Sequence, residues 1–421
     1  MKINPYKIRL AIAGTVGILT ILAICGLFYP IKFMHFQFAP VIHRLFHDYA
    51  VHDVVIFGII VVLTFVFGRF YCSTICPFGI LQEFFAFVRG KKKNTPQGNY
   101  GVKYLIAGLT FGALIGGSAL LIRHIDPYTI FGSAVSLSIF GIIFAVAVLI
   151  LVFFKNRFFC TNICPVGAVL GLISKLSLNK IYMNENCVKC GMCANSCPSG
   201  CIDYKEKFVD NETCIKCLKC LSVCPKKAIK FGIQPVKFNP KRRDFIWGMG
   251  SLAILGAGYA AGLNFVKNIA KKVKDIILPA GAVNANRMLH KCLNCNLCIN
   301  HCPNDILVKS DDKFGAVHID YTKGKGYCEY NCHKCSEVCP TGAIKKISSE
   351  EKQKTRIGMA YVSPECFGCE ICSHLCPTEA ISIIEGKAVI DGSKCIGCGK
   401  CASECKAKAI HIYGVKEQNR V

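Results

Sequence analysis

Two nucleotide signatures are missing from this 421-residue sequence: no G-x-G-x-x-G follows a strand-like run, and no Walker-type phosphate loop occurs. Flavin, NAD and nucleoside-triphosphate chemistry on this chain is thereby set aside. No side-chain constellation of a hydrolase or transferase stands out either. Acidic residues are scarce, 26 Asp and Glu against 51 Lys and Arg, for a formal charge of +25. That excess does not indicate a nucleic-acid protein, because no recognition motif accompanies it. Much of it flanks apolar runs, where basic residues set topology. The tally also counts cysteines as neutral, and thiolate-ligated clusters would offset roughly half of the excess.

Cysteine is abundant, with 30 residues, and spacing decides among disulfides, zinc and iron–sulfur. Disulfide frameworks scatter their cysteines, and zinc ribbons use separated C-x2-C pairs. Here 24 of the 30 fall into six compact quartets. The reference run is Cys187-Val-Lys-Cys190-Gly-Met-Cys193-Ala-Asn-Ser-Cys197-Pro198, spaced C-x2-C-x2-C-x3-C and closed by proline. Such a run holds a [4Fe–4S] cluster in bacterial ferredoxins, with the fourth cysteine serving a neighbouring cluster.

Residues 181–235 contain that run and a second, Cys214, Cys217, Cys220 and Cys224, each with a short strand-like tail. They read as a two-cluster ferredoxin. One cluster is expected on Cys187, Cys190, Cys193 and Cys224, the other on Cys214, Cys217, Cys220 and Cys197. Cys201 is left over and reads as packing. Residues 292–421 hold four more quartets: Cys292, Cys295, Cys298, Cys302; Cys328, Cys332, Cys335, Cys339; Cys366, Cys369, Cys372, Cys376; and Cys395, Cys398, Cys401, Cys405. The second of these is spaced C-x3-C-x2-C-x3-C. The last is followed by Lys406 instead of proline, which predicts the loss of a rigid turn but of no ligand. Six [4Fe–4S] clusters are expected in all.

Hydrophobic residues make up 52% of the chain, which points to membrane segments. Residues 8–29 are long enough to span a bilayer, about 20 residues sufficing. No small-residue cleavage site accompanies them, so they read as an uncleaved helix. Residues 53–70, 104–122 and 137–154 are three further expected spans. Gly108, Gly112, Gly116 and Gly117 predict close helix–helix packing in the third. Lys2, Lys7 and Arg9 precede the first span. Arg69, Arg89, Lys91, Lys92, Lys93 and Lys103 lie between the second and third, and Lys155, Arg157, Lys175 and Lys180 follow the fourth. The opposite loops hold only Lys32, Arg44 and Arg123 besides histidines. The positive-inside rule then puts the N-terminus, the 71–103 loop and residues from 155 on in the cytoplasm.

Beyond the first ferredoxin, Lys241-Arg242-Arg243-Asp244-Phe245-Ile246-Trp247 leads into the apolar, small-residue stretch 248–266. This reads as a fifth span with a twin-arginine-type export signal; a basic anchor before an ordinary or surface helix is the other reading. Lys267, Lys271, Lys272 and Lys274 on the far side run against the usual charge bias. Residues 275–291, with Pro279 and Gly281, read as a linker.

Two further motifs match residue for residue: Arg69-Phe-Tyr-Cys72-Ser-Thr-Ile-Cys76-Pro77-Phe-Gly79 and Arg157-Phe-Phe-Cys160-Thr-Asn-Ile-Cys164-Pro165-Val-Gly167. They make the first part of the chain an internal repeat, and repeats of this kind tend to place a shared site between their halves. Cys72, Cys76, Cys160 and Cys164 are therefore expected to ligate a seventh iron–sulfur centre. A redox dithiol pair or helix-start packing cysteines are the alternatives. His35, His43, His47 and His52, with His124 and Asp126, fall in the outer loops. They suit a quinol-side role or haem ligation, or simply contact with water and lipid headgroups. Cys25 reads as a buried small hydrophobe.

The four-span part with duplicated C-x3-C-P motifs, followed by a two-cluster ferredoxin, resembles the NapH family of membrane ferredoxins. It shares those motifs with the NosR and CcoG type. From Arg242 on, with the twin-arginine leader, four cluster motifs and Cys339-Pro-Thr-Gly-Ala-Ile344, the chain resembles the NapG/MauM family. The resemblance implies a NapH–NapG fusion in a bacterial cytoplasmic membrane. It would pass electrons between the quinol pool or a cytoplasmic donor and an extracytoplasmic reductase or cytochrome, with quinol dehydrogenation as one option. It also implies that the last four quartets pair first with fourth and second with third. The expected fold is multi-domain: a four-helix membrane domain (1–180), a cytoplasmic α+β ferredoxin (181–235), a twin-arginine-like span and linker (236–291), and an extracytoplasmic four-cluster ferredoxin (292–421). The alternatives are a redox or biogenesis factor for metalloenzyme assembly, as the CcoG resemblance allows, and a polyferredoxin facing the cytoplasm throughout.

Overall fold

The computed structural model describes residues 5–25, 37–47, 51–89, 100–135, 139–155, 157–233, 253–264, 276–309 and 316–419. Two compact units emerge, one of residues 1–116 and 120–262, the other of residues 117–119 and 263–421.

In the first unit, Pro5–Ile24 is a 20-residue apolar helix, the one helix among the described residues long and apolar enough to cross a membrane. The other expected spans come out shorter. Val51–Phe67, Tyr100–Ile115 and Ile139–Lys155 have 17, 16 and 17 residues, or about 25 Å at 1.5 Å per residue, against a hydrocarbon core of about 30 Å. Val51–Phe67 stops where Gly68 takes a left-handed φ of +78°. These helices turn large apolar side chains outward: Val51, Val54, Val55, Ile59 and Val62 on one, Ile139, Ile143, Ile150 and Phe153 on another.

The expected close packing of the glycine-rich helix is found at Gly112, and its partner is the helix formed by residues 253–264. A Cβ on Gly112 would strike the Leu255 carbonyl, one on Gly258 would stand 2.7 Å from the Leu109 oxygen, and one on Gly262 2.6 Å from that of Ala113. The twin-arginine run 241–247 lies outside the described residues.

Several charges expected in solvated loops are structural instead. Arg9, Arg69, Lys103 and Arg157 are at most 3% exposed. Buried cations persist only where carbonyls or carboxylates satisfy them; Lys103 Nζ lies 3.4 Å from Glu212 Oε1, and the partners of the three arginines are described below. The loops opposite also fold inward. Arg44 pairs with Asp53 at 2.6 Å. Phe38 N donates to Tyr71 Oη at 3.0 Å, and Tyr71 Oη to Gln37 Oε1 at 2.7 Å, so this loop reaches the residue preceding Cys72. Asp126 is fully buried and accepts from Thr129 N at 3.0 Å, capping Pro127–Val135. Of the histidines, His35 and the side chains of His43 and His47 lie outside the description, while His52 is exposed, 3.4 Å from Asp53. Cys25 is exposed beyond the end of the first helix, not buried.

The ferredoxin fold of the first unit pairs Asn179–Met183 antiparallel with Ile229–Ile233, and Ile202–Asp203 with Phe208–Val209. No boundary falls at residue 180. Leu178 N bonds to Phe65 O at 2.8 Å, Asn179 Nδ2 to Val66 O at 3.0 Å, and Ser174 Oγ to Asn211 O at 2.8 Å. The helical part and the first ferredoxin are therefore one body.

In the second unit, Leu307–Lys309 pairs with Val317–Ile319, Gly358–Val362 with Ile410–Gly414, and Ile381–Ile384 with Lys387–Ile390, all antiparallel. The expected linker is part of this fold. Ile277, Leu278, Ala280 and Ala282 are buried in its core, and Gln418 binds Gly281 N, Val283 N and the carbonyls of Leu278 and Pro279. Apolar residues separated by Pro279 and Gly281 gave no period to read, yet burial claims them.

Candidate metal centres

The duplicated motifs meet through two crossed arginines. Each motif makes a one-turn helix, Tyr71–Thr74 or Phe158–Asn162, and then starts a longer one at its proline, Pro77–Arg89 or Pro165–Lys175. Proline at the first helical position gives up an N–H that has no partner there anyway. Arg69 of the first motif donates from Nη2 to Cys160 O of the second at 3.1 Å. Arg157 of the second donates from Nη1 to Cys72 O of the first at 3.0 Å. Glu83 fixes the second arginine, accepting from Arg157 Nη2 at 2.7 Å and from Arg9 Nη1 at 2.7 Å. Gly79 and Gly167 make room for the crossing. A Cβ on Gly79 would strike Cys72 O, and one on Gly167 would stand 2.7 Å from both Cys160 O and Arg69 Nη2.

All four cysteines are buried, at 4–6% exposure. Each sulfur faces an N–H donor. Gly167 N approaches Cys164 at 3.3 Å and Gln82 Nε2 approaches Cys160 at 3.3 Å; Arg69 Nη2 lies 3.9 Å from Cys72, and Gly79 N bonds to Cys76. Burial first, and then the charge of Cys160 and Cys72, pushes the Cys76 and Cys164 thiols well up. Four such thiols cannot ionise together without a cation among them, and a thiolate-bound metal supplies one. Gln82 and Glu83 were invisible to motif reading. The arginine and glycine at matching offsets in both motifs were the available signal.

The six quartets share one backbone design. In five of them the residues on either side of the second cysteine have left-handed φ: Lys189 and Gly191, Lys216 and Leu218, Asn294 and Asn296, Gly368 and Glu370, Gly397 and Gly399. The exception is the quartet with C-x3-C spacing, where His333 has φ −128°; the inserted residue relieves the turn. In all six the third residue after the last cysteine is left-handed: Gly200, Lys227, Asp305, Gly342, Glu379 and Lys408. The last quartet therefore keeps its turn without proline. Ala409 N still reaches Cys405 Sγ at 3.3 Å, as Ala228 N reaches Cys224 at 3.2 Å and Ala380 N reaches Cys376 at 3.3 Å.

Cysteines of different quartets share cavities. One is lined by Cys187, Cys190, Cys193 and Cys224, a second by Cys197, Cys214, Cys217 and Cys220, and a third by Cys366, Cys369, Cys372 and Cys405. In the second unit, Cys298 neighbours Cys292, Cys295 and Cys339, while Cys335 neighbours Cys328, Cys332 and Cys302. Cys401 neighbours Cys398, Cys395 and Cys376. The pairing is first with second and third with fourth, not first with fourth and second with third. Consecutive quartets pack within one local core each, the arrangement with the shorter loop to close.

Cys201 is no bystander. It lines the second cavity, its Sγ 3.5 Å from that of Cys197. Its hydrogen bond, followed in effect by the Lys216 charge, pulls the Cys214 thiol down to about 6 against burial. Among the described residues no three His, Cys, Asp or Glu side chains converge tightly enough for a single metal ion. Tetrahedral zinc, with Zn–S of about 2.3 Å, would need sulfurs within about 4 Å of one another. Cavities ringed by four sulfurs that do not converge so tightly suit a multi-iron group better.

Comparison with known proteins agrees in kind. Residues 53–96 and 137–184, the two halves of the repeat, match a family described as a 4Fe-4S binding domain. Residues 186–228 and 327–380 match a 4Fe-4S dicluster domain, residues 358–406 a second dicluster family, and residues 289–305 another 4Fe-4S binding domain. The chain is 34% identical over 155 residues to the uncharacterized protein MJ0750 of Methanocaldococcus jannaschii, covering 33% of this chain and 63% of that one. It is 30% identical to the putative electron transport protein YccM of Escherichia coli K12, covering 33% and 44%. With the methylamine utilization ferredoxin-type protein MauN of Paracoccus denitrificans the identity is 29%, covering 31% and 48%. The chain thus spans less than two thirds of the length of each of these relatives, 44–63%. No solved structure matches. The chain carries multiple 4Fe–4S ferredoxin domains and is similar to ferredoxin-type electron-transport proteins.

Proposed function

We propose that this chain is a membrane-bound electron-transfer protein, a NapH-type part fused to a NapG/MauM-type part. It would pass electrons between the quinol pool or a cytoplasmic donor and an extracytoplasmic reductase. The observation that carries the reading is the position of Arg69. One edge of its guanidinium holds Cys160 O and faces Cys72 Sγ; from the other edge, Nη1 donates to Glu212 O at 3.1 Å and lies 3.5 Å from Thr213 O, next to Cys214. Arg157 N adds a bond to Pro198 O, beside Cys197, at 3.4 Å. The crossed-arginine site thus adjoins the cavity of Cys197, Cys214, Cys217 and Cys220. The cavity of Cys187, Cys190, Cys193 and Cys224 belongs to the same ferredoxin core, with Cys190 exposed.

In this reading the six quartets hold six [4Fe–4S] clusters, and Cys72, Cys76, Cys160 and Cys164 hold a seventh iron–sulfur centre. Bound clusters supply one-electron chemistry at potentials set by charge, hydrogen bonds and solvent. The chain's own residues keep the crossed site dry, direct an N–H to each sulfur and hold the next site at a bonded distance. The outward apolar faces of Val51–Phe67 and Ile139–Lys155 support a multi-pass membrane setting, since contiguous exposed apolar surface is otherwise covered by a partner. Iron and sulfide analysis of C72S/C160S tests the core of the proposal. A loss of about four irons per chain, with the ferredoxin signals kept, is the expected result; unchanged iron and unchanged spectra overturn the seventh centre. Paired reporters fused at residue 421, active only inside or only outside, test export, and an inside result removes the extracytoplasmic reductase.

A further inference from the structure

We infer that Lys352 is a buried cation that sets the potentials of the two middle clusters of the second unit, an inference that rests on the quartets being cluster ligands. The pairing described above arranges the sites of this unit in a row. Cys292, Cys295, Cys298 and Cys339 form one end, followed by Cys302, Cys328, Cys332 and Cys335. Then come Cys376, Cys395, Cys398 and Cys401, and finally Cys366, Cys369, Cys372 and Cys405. The two middle sites touch through backbone: Cys328 N donates to Cys398 O at 2.8 Å, and Tyr321 Oη to Gly397 O at 2.7 Å.

Lys352 enters at this junction. It sits on the helix Ser349–Lys354, whose start is locked by a reciprocal cap between Ser348 and Glu351, and Lys352 N bonds to Ser348 O at 2.9 Å. In sequence the run Ser348-Ser-Glu-Glu-Lys-Gln-Lys holds no apolar residue. In the fold Lys352 is 1% exposed, and its Nζ has no hydrogen-bond partner. Its charge acts on sulfur instead, on Cys328, Cys335 and Cys398. The neighbouring carboxylate of Glu351 is engaged in the cap, accepting from Ser348 N at 3.1 Å. A buried ammonium needs an anion, and the anions available here are cluster-bound thiolates. Because reduction adds negative charge, a fixed positive charge beside two sites favours their reduced forms over those of the end sites. An electron on this row would then rest in the middle, next to Lys352.

The test is a redox titration of the full, cluster-loaded chain, followed by electron paramagnetic resonance, with K352M, K352Q and K352R. Methionine keeps much of the volume, glutamine the polarity without the charge, and arginine the charge. Iron per chain is read first. With iron retained, K352M and K352Q are expected to lower at least one transition by a tenfold or larger change in the reduced-to-oxidised ratio, about 59 mV for one electron. K352R should stay within about twofold of wild type, which is under about 0.5 kcal/mol at 1.36 kcal/mol per tenfold. Unchanged potentials in K352M and K352Q, or an equal fall in K352R, overturn the inference and leave Lys352 a packing residue. Iron lost from K352M and K352Q but kept in K352R supports it, and iron lost from all three overturns it. A wild-type chain without iron refutes the cluster reading itself, a failure distinct from this one.

Discussion

The same chain builds cysteine sites in two ways. A ferredoxin quartet is local: three sulfurs come from one short loop whose left-handed turns lie beside the second cysteine and after the last, and only one sulfur is borrowed. The crossed site is the opposite. Its cysteines come from two motifs brought together by Arg69 and Arg157, each anchored on the other motif's carbonyl. A local site stores its geometry in backbone preference, which survives changes elsewhere. A divided one stores it in a few buried charges, each of which can be lost to a single substitution.

The sharpest way to break that contrast is R69A. It strips charged donors from Cys160 O and Glu212 O, both buried, at about 1.5–3 kcal/mol each. The first unit should lose about 3 kcal/mol or more in thermal unfolding together with the iron of the crossed site, while the second unit's spectra persist. Equal iron in R69A and wild type would mean that the crossing does not organise the site. Next in size is G167A, which forces a methyl group against Cys160 O and Arg69 Nη2. Overpacking of this kind costs about 1–3 kcal/mol, and the same centre should weaken or vanish. G386A is its control: Gly386 has φ +70° but nothing within 4 Å of its Cβ position, so only a backbone penalty of about 1 kcal/mol is expected.

C201A probes the local type of site. It removes a thiol hydrogen bond from the Cys197 and Cys214 sulfurs, worth about 1 kcal/mol. The cluster should stay, and one transition should fall by about fivefold in the reduced-to-oxidised ratio; loss of the cluster would make Cys201 a ligand. Smallest is K406P, which restores the proline missing after Cys405. Lys408 already makes the turn at φ +51°, so the second unit should change by no more than about 1 kcal/mol, in the stabilising direction. A loss of stability would show that the Lys406 N–H has a role.

Much of this was legible in the linear sequence. Spacing alone identified six ferredoxin quartets, the exchange of the fourth cysteine between Cys197 and Cys224, and the repeat that joins residue 72 to residue 160, because consecutive residues determine all of these. Charge was misread where it was buried. Arg69, Arg157 and Lys103 look the same in a string whether they face water or a carbonyl, and Lys352 lies in a run without an apolar residue to announce its burial.

The sequence by itself determined the cysteine quartets and their grouping into loops, since a ferredoxin turn needs only its own dozen residues. Tertiary structure alone decided which loops pair in the second unit, that residues 276–291 belong to its core, and that Lys352 ends among sulfurs. It also decided that two arginines exchange places across the repeat. Those outcomes depend on burial, and whether a polar side chain is buried is set by the residues distant in sequence that close over it.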